Sequence, residues 1–291
     1  MKSRRVVLSA VLCTILCLVI TLVALAEKTQ AAPPVRMYNT AKEKLMGGGS
    51  IVGGTVSAAD PNIYCAMANA GFDFTWIEMQ HSPLMFSDVA KMIWACRGAG
   101  AIPFIRVPDA TEGAIQKATD IGALGIVVPM VATADKARDA VKYAKYPPLG
   151  RRSRGGGQYG ALWGGDYRET ANDNIMVIVM IESPLGVSNV AEIAAVPGVD
   201  VVFAASGDLG SFTGWERTDP RYMAMVKKIH DATLKAGKIL AGPLSWKGRD
   251  GFKFFQGPGE SSLIKSGATA ALGAAPAAQG GDHATGDEPT K

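Results

Sequence analysis

IMVIVMIESPLGVSNVAEIAAVPGVDVVFAASGDLG, residues Ile175 to Gly210, holds two apolar runs, Val177 to Ile181 and Val199 to Ala205, with the acidic residues Glu182 and Asp208 just beyond them. Apolar runs of this length bounded by turn residues suit strands buried on both faces. The stretch between them, Val187 to Ala195, has helical spacing, with Gly186 before it and Pro197 after it. The pattern predicts a strand, helix, strand unit of a parallel α/β protein. In such folds the side chains just past the C-terminal ends of the strands point into the ligand crevice, and in a closed barrel several ends converge on one spot. Glu182 and Asp208 then face each other as a carboxylate pair. Such a pair can divide acid and base work or hold a divalent cation through hard oxygen ligands; each residue is equally well placed to cap the helix that follows it.

Working outward, the same alternation continues. Upstream, strands are predicted at Ile51–Val56, Phe72–Met79, Ala101–Val107 and Leu124–Pro129, alternating with helices that start near Asp60-Pro61, Ser87, Thr111 and Thr133. Asp60 and Thr133 are the expected caps. Downstream come a helix from Tyr222 to Ala236, a strand near Ile239–Leu240 and a weaker strand near Phe252–Gln256, with little room for a full helix between those strands. The count predicts a (β/α)₈ TIM barrel with a shortened last β/α unit. Tyr146 to Asn174 carries Pro, Gly and Arg without a clear period, and so long a connection is usually a lid or a subunit contact.

The ends of the 291-residue chain read differently from this core. MKSRR followed by the uncharged run Val6–Ala26, ending in Ala24-Leu25-Ala26, predicts an export signal over residues 1–26, with an N-terminal membrane anchor as the alternative reading. Residues 27–37 read as a linker, 38–272 as the barrel domain and 273–291 as a disordered Ala/Gly-rich tail. The protein is then expected to be exported, periplasmic or secreted. Removing the signal leaves Cys65 and Cys96, whose apolar helical surroundings favour small buried hydrophobes, although an exported protein could oxidise them if they lie close together. The net charge of +4 is spread thinly, and without a basic stripe interleaved with aromatics the chain offers no nucleic-acid surface.

At the strand ends the barrel reading gathers Glu78 and His81, Arg106, Glu182 and Asp208. A charged set at an apolar barrel mouth marks a candidate site: Glu182 and Asp208 supply anionic oxygens, Arg106 a planar fork for a carboxylate, and His81 a titratable ring on a loop. Arg106 is also suited to pair structurally with a barrel carboxylate, and His81 to be an ordinary loop histidine.

These residues carry a family resemblance. AKEKLMGGG, AGFDFTWIEMQHSP, IPFIRVPD, GALGIVVPMVATADKARDAVKYAKYPPLGRRSRG, the Glu182–Asp208 unit and FFQGPGESSLIKSG occur in order across the domain. Together they resemble the HpcH/HpaI class II pyruvate-dependent aldolases. The resemblance implies a TIM barrel of the phosphoenolpyruvate/pyruvate type. It also implies a homo-oligomer, usually a hexamer built as a trimer of dimers, in which the final helix is exchanged between neighbours. It makes Glu182 and Asp208 ligands of a divalent metal cation (Mg²⁺, Mn²⁺ or Co²⁺), Arg106 the contact to the keto acid, His81 the proton-transfer residue, Asp120 its partner, and Ser206 and Gly207 part of the substrate-binding turn. The implied reaction is reversible aldol cleavage of a 4-hydroxy-2-oxo acid to pyruvate and an aldehyde through a metal-stabilised enolate. The chain departs from the family where Glu78-Met79-Gln80-His81 replaces Asp-x-Glu-His, where Met180 replaces Gln, and where Ala205-Ser206-Gly207-Asp208 replaces Gly-Pro-x-Asp. These changes leave room for an aromatic, lignin-derived or citramalyl-type substrate, with Tyr159, Trp163 and Tyr167 as stacking residues, or for a keto-acid-binding protein without turnover.

Overall fold

The computed structural model describes residues 35–273, so the expected signal segment, the linker up to residue 34 and the tail beyond Gly273 lie outside the described residues. Eight parallel strands close into a barrel in chain order: β1 Ile51–Val56, β2 Phe74–Glu78, β3 Ile102–Arg106, β4 Gly125–Val128, β5 Met176–Ile181, β6 Val201–Ala204, β7 Ile239–Pro243 and β8 Phe252–Gly259. Strands β2 to β6 are buried along their whole length, as strands flanked by helices on one face and a filled interior on the other must be.

The interior is plugged by rings. Phe74 lies 4.7 Å from Phe104 and 4.6 Å from Phe254, and Trp76 lies 5.4 Å from Phe203. Two glycines make room for them. A Cβ on Gly53 would sit 2.1 Å from the Phe74 ring, and one on Gly125 would sit 2.1 Å from the Phe104 ring, so neither position tolerates a side chain.

The helices begin where their caps dictate. Asp60 accepts from the Asn62 and Ile63 amides ahead of α2 (Pro61–Ala68), and Thr133 accepts from the Lys136 amide ahead of α5 (Ala134–Ala144), both as the sequence predicts. The last unit is shortened as expected: between β7 and β8 there is only a 3₁₀ turn, Leu244–Trp246. The stretch without a period contains two short helices, α6 (Tyr159–Trp163) and α7 (Tyr167–Asn174), and β8 is followed by a helix, α12 (Glu260–Ala271), that alternation alone did not reveal.

Cys65 and Cys96 form a disulfide, which corrects the reading of both as small buried hydrophobes. Cys65 lies on α2 and Cys96 caps the C-terminus of α3 (Phe86–Ala95); consecutive β/α units of a barrel lie side by side, which brings their Cα atoms to 5.4 Å.

The end of the barrel where the strands start is closed by polar side chains. Asn39 donates to the carbonyls of Asn174 at 2.7 Å and Leu124 at 3.3 Å, while Asn174 Oδ1 accepts from the Tyr38 and Asn39 amides. The Lys145 ammonium donates to the carbonyls of Asn172 and Ile175, and its burial pulls its pKa down to about 8.

Candidate active site

At the opposite end, where the strands finish, the charged residues meet. Arg106, the last residue of β3, donates from one guanidinium nitrogen to Glu78 Oε2 at 3.2 Å and from another to Glu182 Oε1 at 3.1 Å. Glu78 ends β2, and Glu182 follows β5. All three are buried, with at most 7% of each side chain exposed. The pairing in register of Glu78 with Arg106 puts these two side chains on the same face of adjacent strands, so the contact follows from the fold itself.

Glu78 joins two parts of the site. Its Oε2 accepts from Arg106 and, at 3.1 Å, from the Trp76 indole; its Oε1 accepts from the Gln80 amide at 2.9 Å and the His81 amide at 3.1 Å. One carboxylate therefore holds the guanidinium and shapes the turn that presents His81. The His81 side chain is exposed beside the mouth.

Glu182 is shared as well. Its second oxygen accepts from the Met130 amide, just past β4. Met130 sits at φ 54°, a conformation that costs a residue with a side chain energy and that recurs at functional sites. Burial pushes the Glu182 carboxyl up to about 7; Arg106 and the Met130 amide oppose the rise, and the neighbouring Asp208 carboxylate adds to it.

Asp208 lies in the first turn of α10 (Ser206–Thr213), which follows β6 directly. Ser206 and Gly207 precede it at the helix start, where backbone N–H groups have no acceptor within the helix and favour an anion. The Ser206 carbonyl is held by the Tyr222 hydroxyl at 3.1 Å, which fixes this end of α10.

Glu182 and Asp208 are the carboxylates placed to meet a cation here; among the described residues no group of three or more His, Cys, Asp or Glu side chains could hold one. The set fits a hard divalent ion that keeps several ligands from water and substrate, as Mg²⁺ characteristically does. The raised pKa of Glu182 is consistent with this: burial chiefly, and the neighbouring Asp208 carboxylate in addition, disfavour its charge, and a cation would offset both.

Asp120 is placed elsewhere. It ends α4 (Glu112–Asp120), which runs back from β3 to the start of β4, so within one copy of the chain it lies at the other end of the barrel from His81. There its carboxylate accepts from Arg152 at 2.8 Å and from Gln116 at 2.9 Å. The aromatics of the long connection are not at the mouth either. Tyr159 and Tyr167 are buried and stack at 4.3 Å, Trp163 stacks on Tyr38 and donates to the Gly122 carbonyl, and Arg152 lies 5.3 Å and 5.4 Å from the two tyrosine rings. The connection packs along α4 and the turn into β4, which removes it as a lid over its own mouth and removes these rings as stacking residues for a substrate.

Sequence reasoning placed Glu182, Asp208, Arg106, Ser206 and Gly207 at one end of the barrel, with His81 on the adjoining loop. It missed Met130, because a backbone N–H in a left-handed conformation leaves no mark in residue type. It gave Glu78 a position without a role; the Glu-x-x-His spacing, which lets a carboxylate cap its own turn, was the available signal.

Comparison with known proteins gives the family. Residues 55–240 match the family described as HpcH/HpaI aldolase/citrate lyase. The chain is 36% identical over 178 residues to the 2-dehydro-3,6-dideoxy-6-sulfogluconate aldolase of Pseudomonas putida, covering 60% of this chain and 69% of that protein. It is 34% identical over 230 residues to a hydroxypyruvate/pyruvate aldolase of Delftia acidovorans, covering 75% and 85%. An HpcH/HpaI aldolase/citrate lyase family protein from Burkholderia cenocepacia J2315 superposes with a TM-score of 0.74 at 28% identity, over 81% of this chain and 98% of that one. The family match spans more than half of the chain and the relatives are named aldolases, so the chain belongs to the HpcH/HpaI aldolase/citrate lyase family as a lyase of the aldolase type.

Proposed function

We propose that the protein catalyses reversible aldol cleavage of a 4-hydroxy-2-oxo acid to pyruvate and an aldehyde, with a divalent cation held by Glu182 and Asp208. The observation that carries this reading is the Arg106 guanidinium fixed between Glu78 and Glu182, with Asp208 against the latter. When bound, a divalent cation supplies the Lewis acidity that draws electron density from the 2-oxo group and lowers the barrier to breaking the C3–C4 bond. Arg106 orients the 2-oxo acid and favours the negative charge that develops on its oxygen, its own charge kept in place by Glu78. The start of α10 offers the N–H groups of Ser206 and Gly207 to the substrate carboxylate. His81, presented by the turn that Glu78 caps, moves the proton of the 4-hydroxyl. The test is release of pyruvate from a panel of 4-hydroxy-2-oxo acids, with the divalent metal removed and restored. Metal-dependent release that is lost in Glu182→Ala and His81→Ala is expected; release that survives Glu182→Ala with metal removed would refute the reading.

The Cys65–Cys96 disulfide supports export into an oxidising compartment, in line with the signal expected at residues 1–26. Finding the protein in the cytoplasm with both thiols free would refute this. Helix α12 supports a homo-oligomer, a hexamer in this reading: apart from Glu260 none of its residues is buried, and Ile264 is 60% exposed. Sedimentation of a monomer would refute it.

A further inference from the structure

The barrel interior changes character just below the mouth. Followed through the strand register with the stagger of an eight-stranded barrel, Thr55, Arg106, Met180 and Pro243 form the uppermost closed layer, one from each odd-numbered strand. Trp76 and Phe203 fill the layer beneath. Met180 precedes Glu182 by two residues on the same face of β5, so it lies directly under that carboxylate, and it is buried beside Phe203, its partner in register.

Within this layer only Arg106 offers a charged donor. Thr55 spends its hydroxyl proton on the Gly257 carbonyl at 3.1 Å, Pro243 has no donor, and the thioether of Met180 donates nothing and accepts weakly. A 2-oxo acid has two polar parts, the carboxylate and the 2-oxo oxygen, and both have partners at the mouth in the reading above. Its apolar part is C3, and the apolar wall beneath the carboxylate pair is Met180.

We propose that Met180 is a specificity-determining residue that selects 2-oxo acids with an unsubstituted alkyl C3, pyruvate and 2-oxobutanoate, over hydroxypyruvate as the nucleophile of the aldol step. A hydroxyl on C3 that turns toward this wall would meet the thioether and the Phe203 ring, neither of which offers a hydrogen bond of ordinary strength. An apolar wall rejects an added hydroxyl only moderately, so the expected preference in kcat/KM is roughly 10- to 100-fold.

This inference rests on the aldolase reading and sharpens it, and one experiment separates the two. Deuterium uptake at C3 is measured by mass spectrometry for pyruvate and hydroxypyruvate with the full chain and Mg²⁺, using wild type, Met180→Gln and Met180→Leu. Each preference is a ratio taken within one variant, so loss of folded protein cancels. Wild type and Met180→Leu are expected to favour pyruvate, and Met180→Gln, which brings an amide to the same place, to lower the ratio about tenfold. Exchange of pyruvate with no preference in wild type, or with a ratio unchanged in Met180→Gln, overturns the role of Met180 and leaves the aldolase reading standing. Exchange of neither acid by wild type overturns both.

Discussion

The two ends of this barrel both bury charge and treat it in opposite ways. Where the strands start, the buried cations are surrounded by groups that suit them: Lys145 donates to two carbonyls, and Arg152 bonds Asp120 and Tyr167 and lies 4.6 Å from the Tyr146 ring. Where the strands finish, Glu78 and Glu182 share one guanidinium, Asp208 lies against Glu182, and burial pushes the Glu182 carboxyl up to about 7. In the first arrangement each cation has its hydrogen-bond acceptors within the chain. The second holds an excess of negative charge that a cationic ligand would relieve, which is how a binding site differs from a structural network of the same residue types.

The sharpest way to break this comparison is to truncate one arginine at each end. Arg106→Ala is expected to lower the rate of pyruvate release by roughly 10²- to 10³-fold, the usual cost of removing a group that stabilises developing charge. Its unfolding midpoint in urea should fall as well, because Glu78 and Glu182 are left as buried carboxylates without their cation. Arg152→Ala should affect stability alone. It leaves Asp120 and Tyr167 without their partner and is expected to cost about 2–4 kcal/mol of stability, with the rate per folded molecule unchanged. Equal effects of the two substitutions on rate and stability would erase the distinction.

A smaller effect sharpens the structural end. Unfolded, Lys145 holds its proton to about pH 10.4; folded, it gives it up near 8. Between these values the unfolded chain binds the extra proton, so stability rises with pH from about 8 to 10, and the cost of burying the charge is fully present below that window. Lys145→Met should flatten the rise by up to about 1.4 kcal/mol per pH unit, read from urea unfolding at pH 8 and pH 10. An unchanged pH slope in that variant would show that the ammonium is not buried in the folded protein.

The sequence made one end of the barrel far more legible than the other. At the mouth, each functional side chain except His81 sits within a few residues of the end of a long apolar run, so Arg106, Glu182 and Asp208 could be read from strand pattern alone. At the base, the network depends on carbonyls and on rings from three separate segments, Tyr38, Tyr146 and the helices α6 and α7. Such a network has no period, and the stretch that supplies most of it read as a lid. The disulfide was hidden for a related reason: Cys65 and Cys96 both look like core residues along their own helices, and only the side-by-side packing of α2 and α3 makes them partners. Asp120 lies, within one copy of the chain, a barrel's length from His81, so the pairing that the resemblance implies is not made inside a single copy.

Exchange of the pyruvate methyl protons with deuterium, followed by NMR with Mg²⁺ removed and restored, tests the mouth most directly because it requires no knowledge of the aldehyde. The account predicts exchange that depends on the divalent ion, disappears in Glu182→Ala and persists in Arg152→Ala. Absence of exchange with any divalent ion in the folded wild-type protein would contradict it.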